Sequence, residues 1–76
     1  MSDQFYLCRD LYFSALLYAK RVPLEKAERD GKTYWFYFED KEKCEQIYKE
    51  FFGRKVLVNA RDYVDAVNAL RDIIFQ

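Results

Sequence analysis

Histidine is absent from this 76-residue chain, and cysteine occurs only twice, at the distant positions Cys8 and Cys44. Nucleophilic catalysis of the serine or cysteine type needs a neighbouring general base, which is most often histidine. The two cysteines lie far apart and have neither the spacing of a zinc site nor that of a disulfide framework. With only two glycines it also has no glycine-rich phosphate loop. The sequence therefore predicts a protein that is not an enzyme and that holds no metal and no cofactor.

Long apolar runs and an excess of one charge are absent as well. No run approaches the roughly 20 residues of a membrane helix, and the first residues lack the basic region of a secretion signal. We therefore expect a cytoplasmic protein that does not contact a membrane. Thirteen basic and thirteen acidic side chains cancel, and no segment concentrates positive charge. This balance makes nucleic acid a less favoured partner.

Aromatic residues are abundant: the chain has seven Phe, seven Tyr and one Trp, and 51% of its residues are hydrophobic. Residues 1–76 are predicted to form a single domain. A domain this small buries only about two-thirds of the surface of its unfolded chain. Without a disulfide or a metal, it must gain stability from dense packing or from association.

The chain pattern predicts an α+β domain with a small, mainly antiparallel sheet of three or four strands and three helices. The order is β-α-β-β-α-(β)-α. A fourth strand at Val56–Val58 would complete a split βαβ, ferredoxin-like arrangement with an added C-terminal helix. The predicted elements are a strand at Phe5–Cys8, a helix at Arg9–Lys20, strands at Val22–Arg29 and Lys32–Glu39, a helix at Lys41–Phe52 that Asp40 caps and Gly53 ends, the segment Val56–Val58, and a helix that Asn59 caps.

A β-hairpin is the clearest local signal. Asp30 and Gly31 are predicted as its two loop residues, because Asp-Gly tolerates the positive φ that such loops require. Counting outward from that loop places Ala27 opposite Tyr34.

Two of the predicted helices carry unusual amounts of apolar surface. Between Leu11 and Ala19 the first helix is apolar at eight of nine positions, and the last helix has an apolar face of roughly 200°. We expect a second molecule to cover this excess, with Phe13, Leu17 and Ile73 at the oligomer interface. The second helix has an ordinary buried stripe, predicted as Cys44, Ile47, Tyr48 and Phe51.

Trp35 and Tyr37 are predicted to lie on the sheet face opposite the helices, because strand residues alternate between faces. Three interpretations are open. Another copy of the chain covers the two rings, nucleobases stack on them, or long neighbouring side chains such as Lys26 cover them.

Arg9 and Arg61 each precede an aspartate near a predicted helix start. A helix amino terminus beside an arginine can bind an anion, although solvated surface charge explains the same pattern. Arg9, Arg61, Trp35 and Tyr37 are therefore the candidate residues for binding a ligand or partner.

Four motifs together resemble a family of small bacterial and phage domains of unknown function. Arg21-Val22-Pro23 departs from that pattern, which has a glycine-containing exit from the first helix. The resemblance implies a fold and a bacterial or phage source, and a phage source implies a role in blocking a host factor. The motifs are Arg9-Asp10-Leu11-Tyr12, Glu28-Arg29-Asp30-Gly31, Phe36-Tyr37-Phe38-Glu39-Asp40 and Arg61-Asp62-Tyr63.

These observations favour a non-enzymatic binding module that acts as a homo-oligomer. A host protein or a nucleotide held at a subunit boundary is its expected partner. The alternative is a domain that binds single-stranded nucleic acid on its aromatic sheet face.

Overall fold

The computed structural model describes residues 5–75 and has the predicted α+β architecture. Within that range the sheet has three strands, the smaller of the two predicted numbers, and Val56–Val58 does not join it, so the ferredoxin-like sheet that a fourth strand would complete is not formed. The Leu57 carbonyl instead accepts a hydrogen bond of 2.9 Å from Lys20 Nζ, at the end of the first helix. This bond holds the segment against the helices. The elements are β1 (Tyr6–Cys8), α1 (Leu11–Ala19), β2 (Leu24–Asp30), β3 (Thr33–Phe38), α2 (Lys41–Phe52) and α3 (Ala60–Ile74).

The sheet has the strand order β1-β3-β2, and β3 runs antiparallel to both of its neighbours. β1 and β2 are therefore parallel to each other, joined through α1 and separated by β3. Both outer strands are poor templates for further pairing. β1 has three residues, whereas β2 follows Pro23, carries charged side chains and is irregular between Leu24 and Lys26.

The hairpin loop is shifted from the predicted position. Asp30 pairs with Thr33, so the loop residues are Gly31 and Lys32, and Ala27 lies opposite Phe36. Gly31 has a φ of 63°, and positive φ at the first loop position is the requirement of a type II′ turn. Because the register moves by two residues, every side chain of β3 keeps its predicted face.

Side-chain caps fix where the helices begin. Asp10 Oδ1 accepts hydrogen bonds from the backbone N–H groups of Tyr12 and Phe13, at 2.8 and 3.2 Å. The first helix therefore begins at Leu11 rather than at Arg9. The predicted caps of α2 and α3, Asp40 and Asn59, are confirmed.

α1 and α2 end in the same Schellman motif, each with an arginine in the left-handed conformation. At the end of α1, Val22 N donates to Leu17 O and Arg21 N to Tyr18 O, and Arg21 has a φ of 67°. Val22 and Leu17 are both buried, which supplies the apolar contact typical of this motif. At the end of α2, Arg54 has a φ of 57°, whereas Gly53 has an ordinary φ of −76°.

α1 lies at the centre of the core. Five consecutive residues of this helix are buried, and at about 100° per residue they cover its whole circumference. The sheet covers one side through β1, and α3 packs along another. The rings of Tyr48 and Phe51 in α2 contact Phe13, with centroid distances of 5.4 and 5.6 Å.

The expectation that a second molecule covers α1 is therefore wrong. Phe13 and Leu17 are buried inside the protomer and are not available for an interface. The chain supplies the missing cover itself because α3 folds back along α1. Ile73, the third predicted interface residue, remains partly exposed near the end of α3.

Replacing Arg21 or Arg54 by glycine should stabilise the protein. A left-handed conformation costs a residue with a Cβ about 1–2 kcal/mol, and the greater freedom of glycine in the unfolded chain offsets part of that gain. We expect each substitution to raise the free energy of unfolding by about 0.5–1 kcal/mol in urea titrations. The matched control is Lys49→Gly inside α2, where the backbone is helical, which should lower it. Equal effects at positions 21 and 49 would contradict this explanation.

Ser14→Ala should also stabilise the protein. The Ser14 Oγ atom is fully buried and finds no hydrogen-bond partner among residues 5–75. Removing a buried polar group without a partner favours the folded state, so we expect a gain of about 1 kcal/mol in thermal or urea unfolding. A loss of stability would mean that the hydroxyl makes a hydrogen bond in the native state.

Candidate functional site

One side of the sheet is free of helices, and we call it the open sheet face. Phe36 and Phe38 of β3 are buried beneath the helices, whereas Trp35 and Tyr37 lie half-buried on the opposite side, as predicted. Strand pairing brings residues of β1 and β2 beside them. The open sheet face consists of Leu7, Arg9, Lys26, Glu28, Trp35 and Tyr37.

Cationic side chains lie over both aromatic rings of the open sheet face. Arg9 Cζ is 5.9 Å from the centroid of the Trp35 ring, and Lys26 Nζ is 4.7 Å from that of Tyr37. Each such contact at an exposed site contributes about 0.5–1 kcal/mol. Within the protomer, the long side chains of Arg9 and Lys26 thus cover the rings of Trp35 and Tyr37. Cover by another copy or by nucleobases stays a prediction.

Glu28 balances part of this positive charge. Its Oε2 atom lies 3.3 Å from Lys26 Nζ. Hydrogen bonding by the Tyr37 hydroxyl, followed by Lys26, lowers the pKa of the Glu28 carboxyl, and the same contact raises the pKa of Tyr37. At neutral pH Glu28 is therefore charged and Tyr37 keeps its proton. A shallow cavity of about 510 Å³ lies here, lined by Leu7, Glu28, Arg29, Asp30, Trp35 and Tyr37.

The four predicted binding residues do not form one site. Arg9, Trp35 and Tyr37 come together on the open sheet face, but Arg61 lies elsewhere. It is exposed in the first turn of α3, a helix that packs on α1, and none of the cavities or cation–π contacts found in the described part of the chain joins it to the other three.

A second surface was missed by the sequence reasoning. The rings of Tyr48, Phe51 and Phe52 pack against one another at the end of α2, with centroid distances of 4.6 Å for Tyr48–Phe52 and 6.2 Å for Phe51–Phe52. We call these three residues the aromatic ridge. They are 42%, 48% and 68% exposed.

The predicted buried stripe of α2 is thus half wrong. Cys44 and Ile47 are buried, whereas Tyr48 and Phe51 are largely exposed. The sheet and α3 already occupy most of the surface of α1. The buried residues of α2 therefore lie in the first half of that helix. The sequence signal was Phe52, which follows Phe51 and widens the apolar surface beyond one stripe.

A cleft borders the aromatic ridge, between the starts of α1 and α3. Its volume is about 320 Å³ and its walls are predominantly apolar. The Tyr63 hydroxyl donates a hydrogen bond of 3.0 Å to the Tyr12 carbonyl, which joins the two helices there. Burial, then the charge of Asp10, raises the pKa of Tyr63, so this donor keeps its proton at neutral pH. The cleft, here called the α1–α3 cleft, is lined by Asp10, Tyr12, Phe13, Leu16, Phe51, Val56, Val58 and Tyr63.

Neither cysteine is poised for nucleophilic chemistry. Burial raises the pKa of the Cys8 thiol, although the nearby Ser14 hydroxyl and the hydrogen bond that the thiol donates to the Asp10 carbonyl oppose the rise. Burial also raises the pKa of Cys44 to about 11. Both thiols are therefore protonated at neutral pH, and the thiolate is the reactive form.

No three side chains of Cys, Asp or Glu within residues 5–75 are placed to hold a metal ion. None of the helices in that range is long and apolar enough to cross a membrane.

Comparisons with protein-family models, with the curated proteins and with solved structures give no match to the chain. The resemblance to bacterial and phage domains of unknown function therefore stays a prediction, as does the role of blocking a host factor. Statements about function rest on the geometry of the chain itself.

The buried thiol of Cys44 should make the protein less stable in alkali. Below pH 9 both the folded and the unfolded state keep its proton, so its contribution to stability is complete. Between pH 9 and about 11 the unfolded state loses the proton first, and the free energy of unfolding falls. Urea titrations at pH 7, 9 and 10.5 should show a shallower fall for Cys44→Ala than for the wild type. Parallel curves would contradict this assignment.

Proposed function

We propose that this chain is a non-enzymatic binding module that self-associates through the aromatic ridge and the adjoining α1–α3 cleft. The observation that carries the proposal is the exposure of three packed aromatic rings beside an apolar cleft. Monomeric proteins rarely expose large contiguous apolar patches, and such patches mark interaction surfaces.

A second copy is the partner that fits this surface. Phe52 projects as the most exposed ring of the ridge, and the neighbouring cleft of about 320 Å³ has room for an aromatic side chain. In a two-fold dimer each patch meets its own copy, so a surface with both a projection and a cavity can be complementary to itself. Asp10 is the one charged residue among those that line the cleft, so little like-charge repulsion opposes the contact.

The size of the domain and the irregular shape of the sheet edges support the same choice. A short chain without a disulfide commonly gains stability from association, and both Cys8 and Cys44 are free thiols. The edges of β1 and β2 favour no strand pairing between copies. Association through side chains of α2 needs no strand pairing.

The absence of enzymatic activity is part of the proposal. The buried, protonated thiols are poor nucleophiles. Histidine, the usual general base, does not occur in the chain.

The mass in solution tests self-association. Light scattering across a range of about 1–500 µM should show a concentration-dependent rise toward twice the 9.3 kDa of the chain. Phe52→Glu, on the ridge, and Val58→Glu, in the cleft, should each weaken the dimer. Losing one buried apolar side chain costs about 1.5–3 kcal/mol, which corresponds to roughly a tenfold to hundredfold higher dissociation constant.

Phe75→Glu is the matched control, because Phe75 is 73% exposed but lies at the far end of α3. It should leave the dimer intact. Circular dichroism should show the same fold for all three variants. A wild type that stays at 9.3 kDa throughout the range, or a Phe75→Glu variant as defective as Phe52→Glu, would refute the proposal.

A further inference from the structure

We infer that the open sheet face binds single-stranded nucleic acid, with bases stacked on Trp35 and Tyr37 and phosphates held by Arg9 and Lys26. The inference does not depend on the aromatic ridge. It rests on two cation–π pairs on one sheet face: Arg9, just after β1, pairs with Trp35, and Lys26 of β2 pairs with Tyr37.

The two rings form a stacking platform on a rigid element. Trp35 and Tyr37 lie on one face of the central strand, two residues apart, which corresponds to about 6.7 Å along the strand. Aromatic rings in such positions accept successive bases of a single strand, because every base has a π-face. Leu7 adds an apolar contact beside Tyr37 in the neighbouring strand.

Arg9 and Lys26 lie where the phosphates of a nucleic acid single strand would pass if its bases stacked on the two rings. Arg9 and Lys26 are both exposed, and their contacts with the rings are held by flexible side chains. Stacking of a base on a ring is stronger than an exposed cation–π contact. A single strand can therefore displace the cations from the rings and bind them through its phosphates.

Glu28 and Asp30 determine which nucleic acid fits. Their carboxylates line the same shallow cavity as the two rings. A duplex would bring its dense phosphate charge against them, whereas the N–H groups on the edges of unpaired bases can donate hydrogen bonds to them. The face therefore favours single strands, and the mixed charge limits the affinity to a dissociation constant of about 10⁻⁵ M.

Trp35 is the single tryptophan of the chain, so its fluorescence reports on this face alone. Titration with an eight-nucleotide single-stranded oligonucleotide should quench its emission. With two phosphate contacts, the logarithm of the binding constant should fall with the logarithm of salt concentration at a slope of about −1.4. Lys26→Gln should reduce the slope to about −0.7, and Lys43→Gln on α2, the control, should leave it unchanged.

Four variants separate recognition from folding, with anisotropy of a labelled oligonucleotide as the readout. Trp35→Leu should weaken binding by about tenfold to a hundredfold, whereas Tyr18→Leu on α1 should not change it. Glu28→Gln should tighten binding, because a negative charge is removed; a merely structural role of Glu28 predicts no gain. Val58→Glu, in the α1–α3 cleft and away from the open sheet face, should bind as the wild type does, which keeps this site distinct from the proposed dimer surface.

Absence of binding at about 10⁻⁴ M oligonucleotide would overturn the inference, because even non-specific complexes form in that range. Binding that leaves the Trp35 emission unchanged, or that is as strong for a duplex of the same length, would overturn it as well.

Discussion

The fold depends on the burial of one nine-residue helix. The consecutive buried residues of α1 occupy its full circumference, so no single face of a sheet can shelter it. The three-stranded sheet and α3 must both contact α1, and the aromatic rings of α2 close the remaining side at Phe13. The core therefore assembles around α1, which packs against α3 and β1, whereas β2 is held by its pairing with β3 and by contacts with α3.

This arrangement decides which surfaces stay open. Because the sheet and α3 are committed to α1, α2 has only two buried residues, Cys44 and Ile47, and its aromatic end stays at the surface. The opposite face of the sheet is left without a helix, and there the protein covers its own rings with Arg9 and Lys26. One exposed aromatic surface is thus bare and the other is screened by charge.

Features that depend on neighbouring residues could be predicted from the sequence. Which element covers the apolar surface of another could not. The caps Asp40 and Asn59 and the outward direction of Trp35 were predicted because each depends on a few neighbouring residues. The apolar content of α1 correctly showed how much cover the helix needs, but it could not show that α3 provides it, and so Phe13 was misplaced at an interface. The exposed aromatic ridge was missed for the same reason. An apolar stripe on a helix does not show which other element, if any, packs against it.

The connection between α2 and α3 has a structural consequence of its own. After Arg54 the backbone joins neither a helix nor the sheet until Asn59, and the Lys20–Leu57 hydrogen bond tethers it to the end of α1. α3 is therefore held mainly by its packing on α1 rather than by this link. A break in the chain near Leu57 would leave two fragments with complementary faces, and the shorter one could dock onto the longer as a separate peptide. The domain is in this sense a natural candidate for a split reporter, reassembled from two pieces.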